Sequence, residues 1–145
     1  MSPANAQRTI AVLHCFRFFG LVFILPGVAG PGLPVSFASF AAYGDFATGL
    51  LAILALLAIR VRRLFKILVF SFNFVGAADI LIDYYHGVKQ GLPAISGDLG
   101  ATYSIVIIYV PFLMITHCIA FYLLVRRPSS LVPGGVMDTV VSQSD

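Results

Sequence analysis

The sequence predicts an all-α integral membrane bundle of four helices with both termini on the cytoplasmic side, and three observations lead there. The 145 residues are 59% hydrophobic and only 10% charged, whereas soluble domains are about a quarter charged. The apolar residues fall into four long runs, about 9–28, 46–59, 64–85 and 103–125. Finally, the basic residues gather in a few short connections rather than spreading over a surface. Such a chain cannot clothe itself in polar side chains. It has no Glu and no Trp, and its net charge of +3 reads as a membrane-orientation signal and not as a nucleic-acid footprint.

The first run carries Arg8 before it and ends in small residues near Val28-Ala29-Gly30, which raises the question of a cleaved signal peptide. His14 and Arg17 interrupt what should be an uncharged segment, and the run is long for a signal, so the expectation is a retained first helix. A helix needs about 20 residues to cross about 30 Å of hydrocarbon, and this run meets that length. The connection that follows, 29–44, holds Gly30-Pro31-Gly32-Leu33-Pro34 and then uncharged, largely apolar residues. It is expected to lie along the interface or dip back into the bilayer.

The second helix is expected to begin at Phe46, which makes Asp45 its N-cap, satisfying free backbone donors at the positive end of the dipole. An active-site carboxylate in the outer half of the bundle is the alternative role for Asp45. Thr48, Ala52 and Ala55 follow at helical spacing and form a small-residue stripe, suited to close helix packing in the bundle or to a dimer seam. This run is short, and its helix is expected to continue through Arg60 to Arg63 with those side chains snorkelling.

The third run contains Asn73, Gly76, Asp79 and Asp83 and ends near His86. The fourth contains Pro111, which should kink it and release the carbonyl of Ile107. Four crossings put Arg8, Arg60, Arg62, Arg63, Lys66, Arg126 and Arg127 on one face and leave Lys89 on the other; the positive-inside rule makes the basic face cytoplasmic. Tyr43, Tyr84, Tyr85 and Tyr103 map to the opposite border, where Tyr rings prefer to sit. The segment 128–145 is Pro/Gly/Ser-containing and is expected to be a flexible cytoplasmic tail.

Candidate site residues follow from charge at depth. A charge near the bilayer centre costs several kcal/mol, by about 2.5 or more on insertion scales, so such residues tend to pair and to mark a working interior. Arg17 and Asp79 are expected to pair across the first and third helices, either as a structural bridge or as part of a ligand or proton site together with Asn73. Asp79, Asp83 and His86 share one helical face and can bind a divalent metal or pass protons; the plainer expectation for Asp83 and His86 is solvation at a helix end. His14-Cys15 and His117-Cys118 lie on antiparallel helices at similar depth. Imidazole and thiolate suit Cu(I) or zinc, and His14 and His117 can ligate haem, although neighbouring residues on a helix point about 100° apart. The two cysteines are no disulfide framework.

The stretch Arg17-Phe18-Phe19-Gly20-Leu21-Val22-Phe23, followed by a Gly/Pro-rich connection, resembles the first helix of DoxX-like four-pass membrane proteins. The small-residue second span fits the same outline, and the resemblance covers about the first 60 residues. The chain also resembles small bacterial inner-membrane proteins that place an Asp before the second helix and an Asn and Asp in the third. These resemblances imply a four-span α-helical fold in a bacterial-type inner membrane and no settled reaction; DoxX-like relatives are linked to quinone-associated redox systems, with no cofactor residues to carry over.

No nucleophile motif, phosphate loop or paired-cysteine redox centre is visible. The leading expectation is therefore a non-enzymatic accessory subunit or a binder of a small ligand or lipid in a polar intramembrane interior. A haem-, metal- or quinone-linked redox component is the first alternative, and a proton-coupled small-solute transporter with Asp79 as proton carrier is the second. The expected partners are the lipid bilayer and a homodimer or larger membrane complex, with no nucleic acid.

Overall fold

The computed structural model describes residues 3–126, and every regular element within them is helical. α1 (Pro3–Cys15) runs on as a 3-10 helix, Phe16–Ile24. α2 is Val35–Leu57 with a 3-10 turn over Ala58–Arg60, and α3 is Arg62–Lys89. A short α4 (Ser96–Leu99) sits in the connection between α3 and the last span, which opens with a π-helical stretch, Ile105–Tyr109, and continues as α5 (Val110–Val125). Four of these segments, Pro3–Ile24, Val35–Arg60, Arg62–Lys89 and Ile105–Val125, are long and apolar enough to cross a membrane. The expected tail at 128–145 lies outside the described residues.

The expected border of the second span requires correction. α2 starts at Val35, directly after Pro34, whose extended backbone (φ −61, ψ 125) forms the break. The Ser, Ala and Phe residues after Pro34 are compatible with a helix, and Phe37, Ala38, Ala41 and Ala42 are buried, so tertiary packing extends the helix some ten residues beyond the apolar run. Asp45 therefore caps nothing. It lies in the helix interior and is 7% exposed.

Two further borders shift. The third span continues to Lys89, so His86 lies inside its last turn rather than just beyond it. The first span changes to 3-10 winding at Phe16, and that longer rise per residue, about 2.0 Å against 1.5 Å, alters the depth of everything after it. Just ahead of Pro111 the last span is π-helical over Ile105–Tyr109, a winding that marks an irregularity in a helical ladder.

The core has two apolar layers. An inner one gathers Ile10, Ala11, Ala52, Ala55, Phe65, Val69, Phe72 and Ala120, and an outer one gathers Phe23, Leu33, Phe37, Ala38, Ala41, Leu92 and Leu99. Thr48, Ala52 and Ala55 are completely buried in the bundle, so the small-residue stripe is spent on internal packing and is not itself exposed as a dimer seam. Gly49 belongs to the same contact: a Cβ there would come within 3.3 Å of the Phe18 backbone nitrogen. The connections on the side of Gly30 and Asp98 are tied together, with Gly30 N–H donating to the Asp98 carbonyl at 2.5 Å and Leu92 and Leu99 inserted into the outer layer. Between the two layers lies a sheet of buried polar side chains.

Candidate functional site

Arg17 is the centre of that polar layer and is 1% exposed. A buried guanidinium carries five N–H donors in a fixed fork, and each needs an acceptor. Its Nε donates to Asp45 Oδ1 at 2.5 Å, and Nη2 reaches both that oxygen at 2.5 Å and Asp79 Oδ2 at 2.6 Å. Nη1 donates to the Gly76 carbonyl at 3.1 Å and lies 3.3 Å from His117 Nε2. All five donors are thereby used.

The expected meeting of Arg17 and Asp79 is present, and Asp45 joins it as a second carboxylate. Sequence reasoning placed Asp45 as a cap because its partner lies on another helix, 28 residues away. One local signal was available. Gly20, Gly44 and Gly76 each stand within three residues of a charged member of this cluster on the same span, and each makes room for one. A Cβ at Gly20 would collide with the Asp45 carboxyl and one at Gly44 with Asp79 Oδ1. One at Gly76 would come within 2.6 Å of both Arg17 Nη1 and the His117 ring.

The imidazoles extend the network away from the carboxylates. Asn73 Nδ2 donates to the Val69 carbonyl at 2.7 Å, which leaves Asn73 Oδ1 to accept from His117 Nδ1–H at 2.9 Å. The Nε2 lone pair of His117 is then free to accept from Arg17. This tautomer is assigned from the hydrogen-bond partners. The same reasoning applies to His14, because the Thr116 hydroxyl donates to the Leu113 carbonyl at 2.7 Å and so accepts from His14 Nε2–H at 2.9 Å. The two imidazole rings lie 4.1 Å apart between centroids. Only His14 Nδ1, buried and without a hydrogen-bond partner, retains an uncommitted lone pair.

This arrangement bears on the metal and haem expectations. His14 and His117 do come together, but both nitrogens of His117 are engaged. Their cysteine neighbours do not converge on them. Cys118 is exposed, and the Cys15 thiol donates to the Ala11 carbonyl at 3.2 Å on its own helix. Asp79, Asp83 and His86 do not form a metal cluster either, since no group of three or more His, Cys, Asp or Glu side chains suited to one metal ion occurs among the described residues. His86 packs against the Phe40 ring, 5.3 Å between centroids, and the Tyr85 ring, 5.8 Å.

Asp83 has a different setting from its expected solvation at a helix end. It is half-buried and lines a cavity of about 350 Å³. All four spans contribute to the walls: Phe23 from the first, Phe37, Ala41 and Asp45 from α2, Asp83, Tyr84, Gly87 and Val88 from α3, and Val106, Ile107, Val110 and Pro111 from the last. Leu92 and Pro93 of the following connection, with Tyr103, complete it. Val88 is 74% exposed and Ile107 52%, so the mouth lies between α3 and the last span. The π-helical stretch and Pro111 form one wall, a place where irregular winding shapes a cavity. Asp83 Oδ1 has no hydrogen-bond partner, and the ion pairs of the described residues all involve Arg17.

Comparison with known proteins assigns residues 1–125 to the family described as "Domain of unknown function (DUF8737)", and the chain belongs to that family. No curated protein and no solved structure matches it.

Proposed function

We propose that this member of the family is a multi-pass membrane protein that holds a small amphiphilic ligand in the cavity beside Asp83. The cavity carries the proposal. Its volume of about 350 Å³ falls in the usual range of small-molecule sites, about 300–1,000 Å³, and it has their usual make-up of apolar walls with a few convergent polar groups. The Arg17 cluster lies beside it, with Asp45 belonging to both. Its guanidinium has every donor engaged, although Asp79 Oδ1 is left without a partner, and these bonds support a structural role: they tie the first span to α2, α3 and the last span beside the cavity wall. Val88 and Ile107 on the cavity rim are exposed on the apolar flank of two spans, which favours entry of a ligand that partitions into lipid.

The redox alternative draws support from the close, tilted imidazole pair, but both His117 nitrogens are engaged, which leaves a metal or haem only the one lone pair of His14 Nδ1. The transport alternative requires Asp79 to exchange protons, and Asp79 is clamped by Arg17 at 2.6 Å. A ligand site at Asp83 needs neither group to leave its partners.

In this reading both termini are cytoplasmic in a bacterial-type inner membrane, because Arg60, Arg62, Arg63 and Lys66 crowd the turn between α2 and α3. In a Cys15→Ala/Cys118→Ala background, Lys89→Cys is expected to react with an impermeant maleimide added outside intact cells, and Arg62→Cys only after lysis. The reverse pattern would invert the topology.

The ligand-binding reading is tested with a neutral diazirine-bearing long-chain alcohol irradiated in membranes containing the protein. Labelled peptides are expected to map to Tyr84–Val88 and Val106–Pro111, and Val110→Phe, which fills the cavity, should cut that labelling at least fivefold. Labelling spread evenly over the outward faces of the spans, and indifferent to Val110→Phe, would show that the cavity holds nothing.

A further inference from the structure

We infer that the cavity selects a positively charged ligand, an alkylated ammonium carried on an apolar body. The inference rests on the ligand-binding reading above and narrows it to a chemical class.

Two independent features of the cavity point to this charge. The first is an imbalance of charge. Asp45, Asp79 and Asp83 lie close together, and the one guanidinium among them spends all five donors on Asp45, Asp79, Gly76 and His117. Nothing remains for Asp83. The other basic groups near it on α3 are turned to aromatic rings: His86 packs on Phe40 and Tyr85, and the Lys89 ammonium lies 5.7 Å from the Tyr85 ring centroid. An unpaired carboxyl at the wall of an apolar cavity must either hold a proton or meet a cation, and a cationic ligand that displaces the proton supplies one.

The second feature is the nature of the wall. Phe23, Phe37, Tyr84 and Tyr103 line the same cavity as Asp45 and Asp83. Aromatic faces attract cations through the negative face of their quadrupole, and cages of such rings are a recurring way to hold an alkylated ammonium, whose methyl groups need no hydrogen-bond acceptor. A primary ammonium would want several acceptors, and the cavity has few. Aromatic rings with carboxylates therefore fit a bulky, weakly hydrated cation better than a metal ion or an anion.

The same chemistry is offered by a choline lipid headgroup and by a free membrane-soluble amine. The test uses benzyltrimethylammonium and neopentylbenzene, which has the same shape with a neutral carbon in place of nitrogen. Equilibrium dialysis is run on the full-length protein in phosphatidylglycerol nanodiscs, with empty discs as the background. One saturable site per chain is expected for the cation, at least tenfold tighter than for neopentylbenzene. Asp83→Asn should weaken the cation at least tenfold and leave neopentylbenzene unchanged. Tyr103→Leu, which keeps every carboxylate, should weaken the cation severalfold and guards against a folding defect in the first variant. Repeating the measurement in phosphatidylcholine discs separates the sources: displacement of the probe identifies a choline headgroup as the occupant, and undiminished binding identifies a free amine. Equal binding of the two probes, unaffected by Asp83→Asn, would overturn the charge selection while leaving a ligand cavity. Saturable binding of neither probe, together with diffuse photolabelling, would overturn both.

Discussion

Arg17→Gln is expected to lower the stability of the bundle by about 3–5 kcal/mol, the cost of leaving buried charges without their partner. Asp45 and Asp79 would lose their shared cation at 2.5 and 2.6 Å, and both are at least 93% buried. The readouts are abundance in the membrane fraction and thermal denaturation in mild detergent. Arg17→Lys should recover little of the loss, because an ammonium has three donors on a point charge and cannot replace a planar fork with five. The triple variant Arg17→Gln/Asp45→Asn/Asp79→Asn should recover most of it, since removing every charge together avoids the uncompensated state. A single Arg17→Gln protein as stable as the parent would show that the cluster does not hold the spans together.

The second large effect is expected at Gly20. A methyl group there would overlap the Asp45 carboxyl and come within 2.5 Å of the Asp45 Cβ. The Cβ is fixed to the α2 backbone, so relief requires the first span to move away from α2, and the 2.5 Å bond from Arg17 to Asp45 goes with it. Overpacking of this kind costs about 1–3 kcal/mol in soluble cores, and here the loss of a buried charged hydrogen bond adds to it. Gly20→Ala should therefore approach Arg17→Gln in severity. Gly87→Ala is the matched control, because its nearest neighbour would be Leu92 Cδ2 at an ordinary 3.5 Å, and it should behave like the parent. Equal stability of the two glycine variants would remove the close approach at Gly20 as an explanation.

What the sequence reveals and conceals follows from how far apart the cooperating residues lie. The four spans were legible because crossing a bilayer demands long apolar runs, and those runs survive as Pro3–Ile24, Val35–Arg60, Arg62–Lys89 and Ile105–Val125. Arg17 and Asp79 were legible as a pair because each stands out as a charge within an apolar run. The start of α2 was not legible. The Ser/Ala/Phe residues after Pro34 have neither the hydropathy of a span nor a strong breaker, and an Asp just ahead of an apolar run looks like a cap until its partner on another helix is known.

The imidazole network was half legible. The local echo of His14-Cys15 and His117-Cys118 pointed to a meeting of the two helices, and the rings do come together, tilted, at 4.1 Å. The tautomer logic through Asn73 and Thr116 depends on tertiary distances that no spacing encodes. The cavity was hidden entirely, because its walls come from all four spans and its shape from a π-helical stretch. The glycines were the readable clue that went unused: small residues near buried charges mark where a neighbouring span must come close.

Native mass spectrometry of the protein released from mild detergent tests the central claim most directly. The wild-type chain is expected to carry one bound small molecule, absent from Val110→Phe and retained at lower occupancy in Asp83→Asn. A wild-type chain that carries no adduct, or the same adduct on Val110→Phe at equal occupancy, would contradict a ligand site in this cavity.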